Sequence, residues 1–314
     1  MQISVVMPAY NAGSFISQAI ESVLAQTWRD FELIVVNDGS TDNTLEIAEK
    51  YAAADERAKV YTQANLGPAP TLNRCLELAS SEWVVIMHAD DVMAPNRLER
   101  QLAFVGAHPE LAVASSWVKH IDGLGRVIAK DNSPLLTQQA VQKLFAANEL
   151  VGFSHPAAIL RKSAVLAAGG YRAQFRVNED IDLWNRILER GYKILVQPEY
   201  LLMYRIHAGS ASVAQARFVR RHLHWVKECM LRRRRGEAEL SWDEFLAYCE
   251  GLPWHVRLDR ARKDWAKVLY KAAVFHFSRR KYYLVVPFLT AAVMLQPGYT
   301  IRQVRSKLVF PGGE

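Results

Sequence analysis

The protein carries the stretch FELIVVNDGSTDNT at residues 31–44. A run of apolar and β-branched residues from Leu33 to Val36 is typical of a buried strand, and a cluster of polar turn residues follows it directly. A helical pattern begins at Thr44. A strand that ends in a polar loop and leads into a helix is the repeating unit of α/β proteins. This stretch therefore predicts one such unit.

Similar units lie on both sides of this stretch. Strands are predicted at residues 3–7, 31–36, around Val60 and 83–87, and helices at residues 15–24, 44–54 and 68–79. The first strand is expected to stop at Pro8, and residues 112–128 add a hairpin pattern further along the chain. We therefore expect a Rossmann-like α/β fold, with a mixed but mostly parallel sheet that is flanked by helices.

The charge is distributed unevenly along the 314 residues. The whole chain has 39 Lys and Arg against 32 Asp and Glu, a formal net charge of +7. Residues 1–214 hold 19 of these basic and 23 of these acidic residues, so residues 215–314 carry a net charge of +11. Strand patterns also end near residue 214. We expect an α/β domain over residues 1–214 and a basic, aromatic-rich helical region over residues 215–314.

Composition excludes several classes of protein. The three cysteines are widely spaced and form no CxxC pair, which argues against a disulfide framework and a cysteine-rich zinc site. The N-terminus lacks the basic and apolar regions of a signal peptide. The longest uncharged apolar run, at residues 282–295, is shorter than the roughly 20 residues that cross a bilayer. We expect a cytoplasmic protein, soluble or peripheral on the cytoplasmic face of a membrane.

Polar residues follow three of the predicted strands, at residues 8–11, 37–40 and 88–91. Ligands of open α/β sheets bind beyond the carboxyl ends of the strands, so these clusters are candidates for one binding site. Asp38 could accept hydrogen bonds from a nucleobase or a ribose, although Asp-Gly-Ser is also a common turn sequence. The GxGxxG and GxxxxGK[ST] phosphate loops are both missing.

Two acidic pairs are candidates for chemistry. Asp90 and Asp91 follow a buried strand, and a divalent Mg²⁺ or Mn²⁺ ion would relieve the repulsion between them. The alternative is a solvated loop that caps the next helix. Glu179 and Asp180 precede a helical pattern, where carboxylates either stabilise the helix dipole or act as a general base.

Five blocks of this sequence together resemble the family 2 glycosyltransferases, inverting enzymes of the GT-A fold. The blocks are PAYN at residues 8–11, FELIVVNDGSTDNT at 31–44, QANLG at 63–67, HADDVMAPNRLERQ at 88–101 and GGYRAQFRVNEDIDLWNRILERGY at 169–192. The resemblance covers about residues 1–212, with the blocks in the order and spacing of the family.

The resemblance implies a role for each matching residue. The nucleotide-binding set would be Pro8, Ala9, Tyr10, Asp38, Asn65, Gly67, His88 and Asp90. Asp91 would hold the divalent metal together with Asp90, and His207 in the segment YRIH is a further metal candidate. Asp180, paired with Glu179, would be the catalytic base. The family often has aspartate where this chain has His88, which leaves metal binding mainly to Asp91.

The resemblance also places an acceptor side near SHPAAILRKS, at residues 154–163. His155 and Arg161 are the candidates there, with a strand-end histidine and a solvated arginine as the alternative reading. Trp184 is a third candidate, but it falls on the apolar face of its predicted helix, a pattern that favours a core position over an acceptor platform.

The implied reaction moves a sugar from a nucleoside-diphosphate sugar, UDP-linked by expectation, to a hydroxyl of a saccharide or a lipid-linked saccharide. Such transfers build cell-surface polysaccharides, lipopolysaccharides and glycolipids.

In the basic region, Arg232–Arg235 and Arg279–Lys281 lie near aromatic residues and the apolar run 282–295. This pattern is typical of a helix in a membrane interface, so an anionic membrane surface is an expected partner; an ordinary packed helix is the alternative.

Two other functions are compatible with parts of this sequence. A sugar nucleotidyltransferase also needs an α/β sheet and paired aspartates, but it usually has a basic, glycine-rich loop near the N-terminus that this chain lacks. A nucleic-acid-binding protein would be supported by the basic region alone, since zinc-finger and RNP patterns are missing. We therefore expect no nucleic-acid partner.

Overall fold

The computed structural model describes residues 2–207, 216–278 and 281–307. These residues form two compact units: unit 1 ends at Ile206, and unit 2 begins at His207. The domain boundary predicted near residue 214 and the basic pair Arg279–Arg280 lie outside the described residues.

The described part of unit 1 contains one mixed sheet of nine strands. The strands are β1 (Ile3–Ala9), β2 (Phe31–Asp38), β3 (Ala58–Gln63), β4 (Trp83–Ile86), β5 (Val92–Met93), β6 (Leu111–Ile121), β7 (Val127–Asp131), β8 (Ile159–Arg161) and β9 (Lys193–Arg205). Their order across the sheet is β3-β2-β1-β4-β8-β6-β9-β5, and β7 pairs with β6. The first four run parallel, as predicted.

The helices of unit 1 pack their apolar faces on this sheet. They are α1 (Ile16–Leu24), α2 (Thr44–Ala54), α3 (Pro68–Leu78), α4 (Arg97–Ala107), α5 (Gln138–Ala146), α6 (Lys162–Ala167) and α7 (Glu179–Glu189). In α1 the buried residues are Ile16, Ala19, Ile20 and Val23, a spacing that puts them on one face of the helix. The predicted α/β architecture is confirmed.

The first strand is longer than predicted, because Pro8 does not end it. The carbonyl of Val6 accepts a hydrogen bond from the amide of Met87, so alternate residues of β1 turn their polar backbone atoms toward β4. Pro8 points the same way, but β4 ends at Ile86. The proline therefore lacks a donor only where the neighbouring strand has already ended, and β1 continues to Ala9.

The strand β8 runs in the opposite direction to the strands on either side of it. It runs antiparallel to both of its neighbours, β4 and β6. The predicted hairpin is formed by β6 and β7, and β6 also pairs with β8 and β9 inside the sheet. Because β8 is antiparallel to β4, the residues that precede β8 lie next to the carboxyl end of β4. This reversal brings His155 beside the loop that follows β4.

Unit 2 is helical in its described residues. The helices are α8 (Ala216–Arg234), α9 (Trp242–Gly251), α10 (Trp254–Ser278), α11 (Tyr282–Leu295) and α12 (Pro297–Lys307). A capping box at the start of α9 joins Ser241 and Glu244 in two reciprocal hydrogen bonds. The 14-residue apolar run forms α11, with Pro287 inside the helix. Within the described ranges, none of the helices combines the length and apolar character that a membrane crossing requires.

Candidate active site

Three loops meet at the carboxyl ends of β2, β1 and β4, which are neighbours in the sheet. They carry the three polar clusters that the sequence places after strands. The β2 strand is two residues longer than predicted, so Asn37 and Asp38 belong to the strand itself. The two side chains are therefore fixed by the sheet and do not belong to a mobile turn.

Asp38 is buried and organises the loop between β3 and α3. Its Oδ1 atom accepts hydrogen bonds from the side-chain amide of Gln63 at 2.8 Å and from the backbone amide of Leu66 at 2.9 Å. Its Oδ2 atom accepts a hydrogen bond from the backbone amide of Gly67 at 2.9 Å. A carboxylate offers about four acceptor positions, so Asp38 retains capacity for one further donor.

Gly39 allows the loops after β2 and β3 to approach each other closely. Its φ is +69°, and a Cβ atom at this position would lie 2.7 Å from the backbone nitrogen of Asn65. Gly67 also has a positive φ of +88°, at the start of α3. A side chain at residue 39 would push the Asn65 loop away from Asp38.

The remaining residues predicted to bind nucleotide lie around these loops. Ala9 is buried at the end of β1, Pro8 is half-buried beside it, and Tyr10 is exposed. Asn65 is exposed on the loop that Asp38 holds. The structure thus brings the residues of three loops to one end of the sheet, with Tyr10 and Asn65 open to solvent.

His88, Asp90 and Asp91 form a cluster of potential metal ligands after β4. One ligand atom from each residue lies within 4.8 Å of the others. Asp91 is buried, and its Oδ2 atom has no hydrogen-bond partner among the described residues. Burial raises the pKa of Asp91 well above its usual range, and the charge of Asp90 adds to this effect. A cation would satisfy this oxygen and stabilise its charge.

Arg205, at the end of β9, holds the loop that carries the acidic pair. Its backbone amide donates to Oδ1 of Asp91 at 2.7 Å, and its Nε donates to the carbonyl of Asp90 at 2.7 Å. The other guanidinium nitrogens donate to the carbonyl of Asp122 and to the side chain of Gln18. In the segment YRIH only the histidine was predicted to be functional, and this arginine was not predicted.

Arg97 is a second residue of the site that was not predicted. It is fully buried in the first turn of α4 and donates to the carbonyls of Ile86 and Ala158. Its Nε donates to Gln101 one turn later. Burial lowers the pKa of Arg97 to about 9, while the negative charge of Asp91 opposes that shift. The sequence pattern could have indicated a buried arginine, because Arg97 and Gln101 fall within the apolar stripe of their helix.

A chain of hydrogen-bonding groups leads away from the metal-ligand cluster. Nε2 of His88 lies 3.2 Å from Nδ1 of His155, and Nε2 of His155 lies 2.8 Å from the hydroxyl of Tyr171. Burial lowers the pKa of both histidines, so both rings are neutral at neutral pH. The predicted residue His155 thus contacts His88 directly, whereas Tyr171 was not predicted.

Glu179 and Asp180 begin α7 and are half-buried. Burial raises the pKa of Tyr171, and the nearby charges of Asp180 and Glu179 add to this effect. Burial raises the pKa of Asp180 to about 6. Burial and the charge of Asp180 raise the pKa of Glu179 to about 8. The two adjacent carboxyls share their protons, so at neutral pH the pair offers one ionised carboxylate. That state is the one a general base requires.

Two of the residues predicted for the acceptor side are placed differently from His155. Arg161 pairs with Trp83 at the amino end of β4, where it lies over the Trp83 ring and donates to the carbonyl of Pro109. The antiparallel direction of β8 therefore puts Arg161 at the opposite end of β4 from His88. This corrects the expectation that His155 and Arg161 lie on the same side of the site.

Trp184 is fully buried and stacks on Phe153, with ring centroids 5.0 Å apart. Trp184 therefore occupies a core position, which was the alternative to an acceptor contact. The centroid of its ring lies 5.8 Å from that of His155. It is therefore beneath the site and not on its surface. His207 is the first residue of unit 2, and its role as a metal ligand stays a prediction.

The family model described as Glycosyl transferase family 2 matches residues 4–167. The chain belongs to glycosyltransferase family 2. Two relatives of this family 2 enzyme extend the match. The amylovoran biosynthesis glycosyltransferase AmsE of Erwinia amylovora is 30% identical, over 64% of this chain and 74% of its own. The O-antigen biosynthesis glycosyltransferase WbnJ of Escherichia coli is 31% identical, over 66% of this chain and 81% of its own.

Solved structures agree with the fold of this family 2 glycosyltransferase. TarS 1–349 of S. aureus, in complex with UDP-GlcNAc, has 19% identity and a TM-score of 0.56, over 95% of this chain and 92% of its own. The mannosyltransferase PcManGT of Pyrobaculum calidifontis, with GDP-Man and Mn²⁺, has 18% identity and a TM-score of 0.57, over 93% of this chain and 86% of its own. These similarities show the GT-A fold.

Proposed function

We propose that this family 2 enzyme is an inverting, metal-dependent glycosyltransferase that uses a nucleoside-diphosphate sugar. The observation that carries the proposal is the His88–Asp90–Asp91 ligand cluster, from which contacts through His155 and Tyr171 lead toward the acidic pair at the start of α7. That pair would supply the base for an acceptor hydroxyl. The donor would occupy the three loops at the carboxyl ends of β2, β1 and β4. Asp38 would accept a hydrogen bond from the nucleobase at its remaining acceptor position.

The residues of the ligand cluster fit a divalent cation such as Mn²⁺ or Mg²⁺. The unsatisfied Oδ2 atom of Asp91 supports this assignment, and His88 and Asp90 supply further ligand atoms within 4.8 Å. A bound divalent cation neutralises the charge that builds up on the departing diphosphate. The protein contributes the position of these ligands, which Arg205 sets through its bonds to Asp90 and Asp91.

The proton and the sugar move in one displacement. Asp180 takes the proton of the acceptor hydroxyl, whose oxygen forms a bond to the anomeric carbon on the face opposite the diphosphate. The bond between the anomeric carbon and the diphosphate oxygen breaks as the new bond forms, so the configuration is inverted. His155 would lie on the acceptor side of this reaction, since it connects the His88 cluster with Tyr171 near the acidic pair.

For the donor we propose a UDP-sugar. The complex of TarS with UDP-GlcNAc supports this choice, whereas the GDP-Man complex of PcManGT makes GDP-sugars the main competitor. For the acceptor we propose a saccharide or a lipid-linked saccharide in the assembly of a cell-surface polysaccharide. The names of AmsE and WbnJ, which concern amylovoran and O-antigen biosynthesis, support this class.

A screen of nucleotide sugars with Mn²⁺ tests the reaction. We expect one donor to release nucleoside diphosphate. A nucleotidyltransferase would instead release pyrophosphate only when it is given a nucleoside triphosphate and a sugar 1-phosphate. Asp180→Ala is expected to lower the transfer rate by about 10²–10⁴-fold, because a general base contributes that much, while the affinity for UDP stays within about twofold. Full transfer activity in this variant would remove Asp180 from the mechanism.

Asp91→Asn tests the metal assignment separately. Asparagine keeps an oxygen that can accept the hydrogen bond from the Arg205 amide, so the loop is expected to remain folded. Wild-type protein should unfold at a higher temperature when Mn²⁺ and UDP are added together, and the variant should lose this increase. An equal increase in both proteins would show that Asp91 is not a ligand.

We also propose that the second unit contacts an anionic membrane surface on the cytoplasmic side. Large apolar side chains of α11 are exposed, among them Tyr283 at 73%, Val286 at 67% and Met294 at 80%. An exposed apolar surface of this kind, beside basic residues, suits a membrane interface. Flotation with phosphatidylglycerol vesicles should show binding that weakens in high salt, and absence of binding at low salt would contradict the proposal.

A further inference from the structure

A cavity of about 500 Å³ lies within unit 2, among α8, α9 and α10. Five arginines line it, namely Arg217, Arg220, Arg221, Arg257 and Arg260, and the lining carboxylates are Glu250 and Asp264. The cavity is large enough for a ligand of the size of a nucleotide or a small saccharide. The arginines outnumber the carboxylates five to two, so its wall carries excess positive charge.

Asp264 forms an ion pair with only one of these arginines, Arg220. Its Oδ1 atom accepts hydrogen bonds from Nε and Nη2 of Arg220, both at 3.2 Å. Its Oδ2 atom lies 2.9 Å from Nε2 of His224. Burial favours a higher pKa for Asp264, but His224 and Arg220 hold it below the usual value. Asp264 therefore remains charged and neutralises Arg220, one of the five arginines.

The other four guanidinium groups form no ion pair with any carboxylate of the described residues. Nη1 of Arg257 donates to the backbone carbonyl of Glu250 at 3.2 Å, and Nη1 of Arg260 lies 3.8 Å from the sulfur of Cys249. Burial raises the pKa of Cys249, and the positive charges of Arg260 and Arg221 oppose that shift. The guanidinium groups of Arg221 and Arg260 therefore lie on the same part of the cavity wall, near Cys249.

Aromatic rings hold two of the arginines in place and give the cavity an apolar side. Arg217 lies over the ring of Trp265 at 4.8 Å, and Arg221 lies over the ring of Trp242 at 6.0 Å. Trp265 is 42% exposed. Guanidinium groups that stack on indole rings keep their N–H groups free for planar, bidentate bonds to phosphate. The free face of an indole suits the ring of a sugar or a base.

We propose that this arginine pocket binds a molecule that bears a phosphate or diphosphate group, with its oxygens on Arg221 and Arg260 and its organic part against Trp265. The four unneutralised guanidinium groups and the adjacent aromatic faces carry this assignment. The proposal is independent of the transfer reaction and of the exposed face of α11, because the binding of pyrophosphate to the pocket is measured without a sugar donor or a vesicle.

Calorimetric titration of the full chain with inorganic pyrophosphate, in metal-free buffer, tests the pocket. We expect the double variant R221Q/R260Q to bind pyrophosphate about tenfold more weakly than wild type or worse, since two charge-assisted contacts are lost. The matched control is R235Q/R262Q, which removes the same charge from unit 2 at residues outside the cavity that pair with Glu237 and Asp259. The control should bind within about twofold of wild type.

Two results would overturn the proposal: no binding of pyrophosphate to wild type, or equal loss of affinity in both double variants. If R221Q/R260Q does not fold by circular dichroism, R221K/R260K replaces it. Lysine keeps the charge but loses the planar fork, so we expect about threefold weaker binding, and unchanged affinity would contradict the assignment.

A second arm identifies the source of the phosphate. Vesicles of phosphatidylglycerol are floated with wild type, R221Q/R260Q and R235Q/R262Q, with and without pyrophosphate. Loss of flotation only in R221Q/R260Q, together with competition by pyrophosphate, would support a lipid headgroup as the ligand. Equal flotation of all three proteins, with pyrophosphate binding still lost in R221Q/R260Q, would support a soluble phosphate compound.

Discussion

His88 and His155 lie in direct contact, with Nε2 of His88 3.2 Å from Nδ1 of His155. A neutral imidazole carries one N–H and one lone pair, so a hydrogen bond on one nitrogen determines what the other nitrogen can do. The Tyr171 hydroxyl occupies Nε2 of His155. The tautomer of His88, and thus its ability to bind a cation through Nδ1, depends on His155 and Tyr171.

Replacement of His155 by alanine is therefore expected to weaken metal binding without removing a ligand. Residues that orient metal ligands typically contribute 10–100-fold to affinity, and we expect a loss of about tenfold for Mn²⁺. Titration of free Mn²⁺ by electron paramagnetic resonance, with UDP present, measures this. Tyr171→Phe keeps the His155 ring and should have a smaller effect. Mn²⁺ affinity equal to wild type in His155→Ala would show that His88 does not need this partner.

The rate of transfer should depend on pH through Asp180. Since burial raises the pKa of this carboxyl to about 6, protonation below that pH removes the base, and kcat/KM should fall about tenfold per pH unit. Glu179→Gln should keep this dependence, because Asp180 still ionises. A pH–rate profile from pH 5 to 8 checks both proteins. A flat profile in wild type would argue against a carboxylate base.

Glu179 should make the protein less stable as pH rises. Its pKa is about 8 in the folded protein and 4.5 in an unfolded chain, so between these values the folded state binds the extra proton. Stability then falls as pH increases through this window. We expect Glu179→Gln to unfold about 2–4 °C above wild type at pH 8.5 and to match it at pH 4.5. Lower stability of the variant at pH 8.5 would contradict this.

Gly39→Ala is expected to disturb the donor loops. Both the positive φ of +69° and the 2.7 Å approach to the Asn65 nitrogen oppose a side chain at this position. Gly125→Ala is the matched control, because its φ is +81° but no atom lies within 4 Å of the added Cβ. Each variant should lose about 1–2 kcal/mol of stability from backbone strain, and only Gly39→Ala should also raise the KM for the donor. Equal KM values would show that the close approach is unimportant.

The sequence predicts the part of the site that depends on neighbouring parallel strands. Strand ends are visible as apolar runs followed by polar residues, and the ends of β2, β1 and β4 meet because these strands are adjacent. Asp38, Asp90 and Asp91 could be found in this way. The acidic pair at the start of α7 was also visible, although its raised pKa values arise from burial, which a local pattern does not reveal.

The rest of the site depends on pairing between distant strands. The antiparallel direction of β8 separates His155 from Arg161, although they are six residues apart in sequence. The parallel pairing of β9 with β6 puts Arg205 at the end of the sheet where Asp90 and Asp91 lie. Neither the direction nor the register of such pairings is encoded in local periodicity, so Arg161 was misplaced and Arg205 was missed.

The hydrogen bonds from Leu66 and Gly67 to Asp38 have a kinetic consequence. They hold the β3–α3 loop in place before any ligand arrives, so little conformational entropy is lost when a nucleotide enters. Association should then proceed in a single phase at a rate proportional to nucleotide concentration, without a slow ordering step. Asp38 would in this way influence how quickly the enzyme takes up its donor as well as how tightly it binds it.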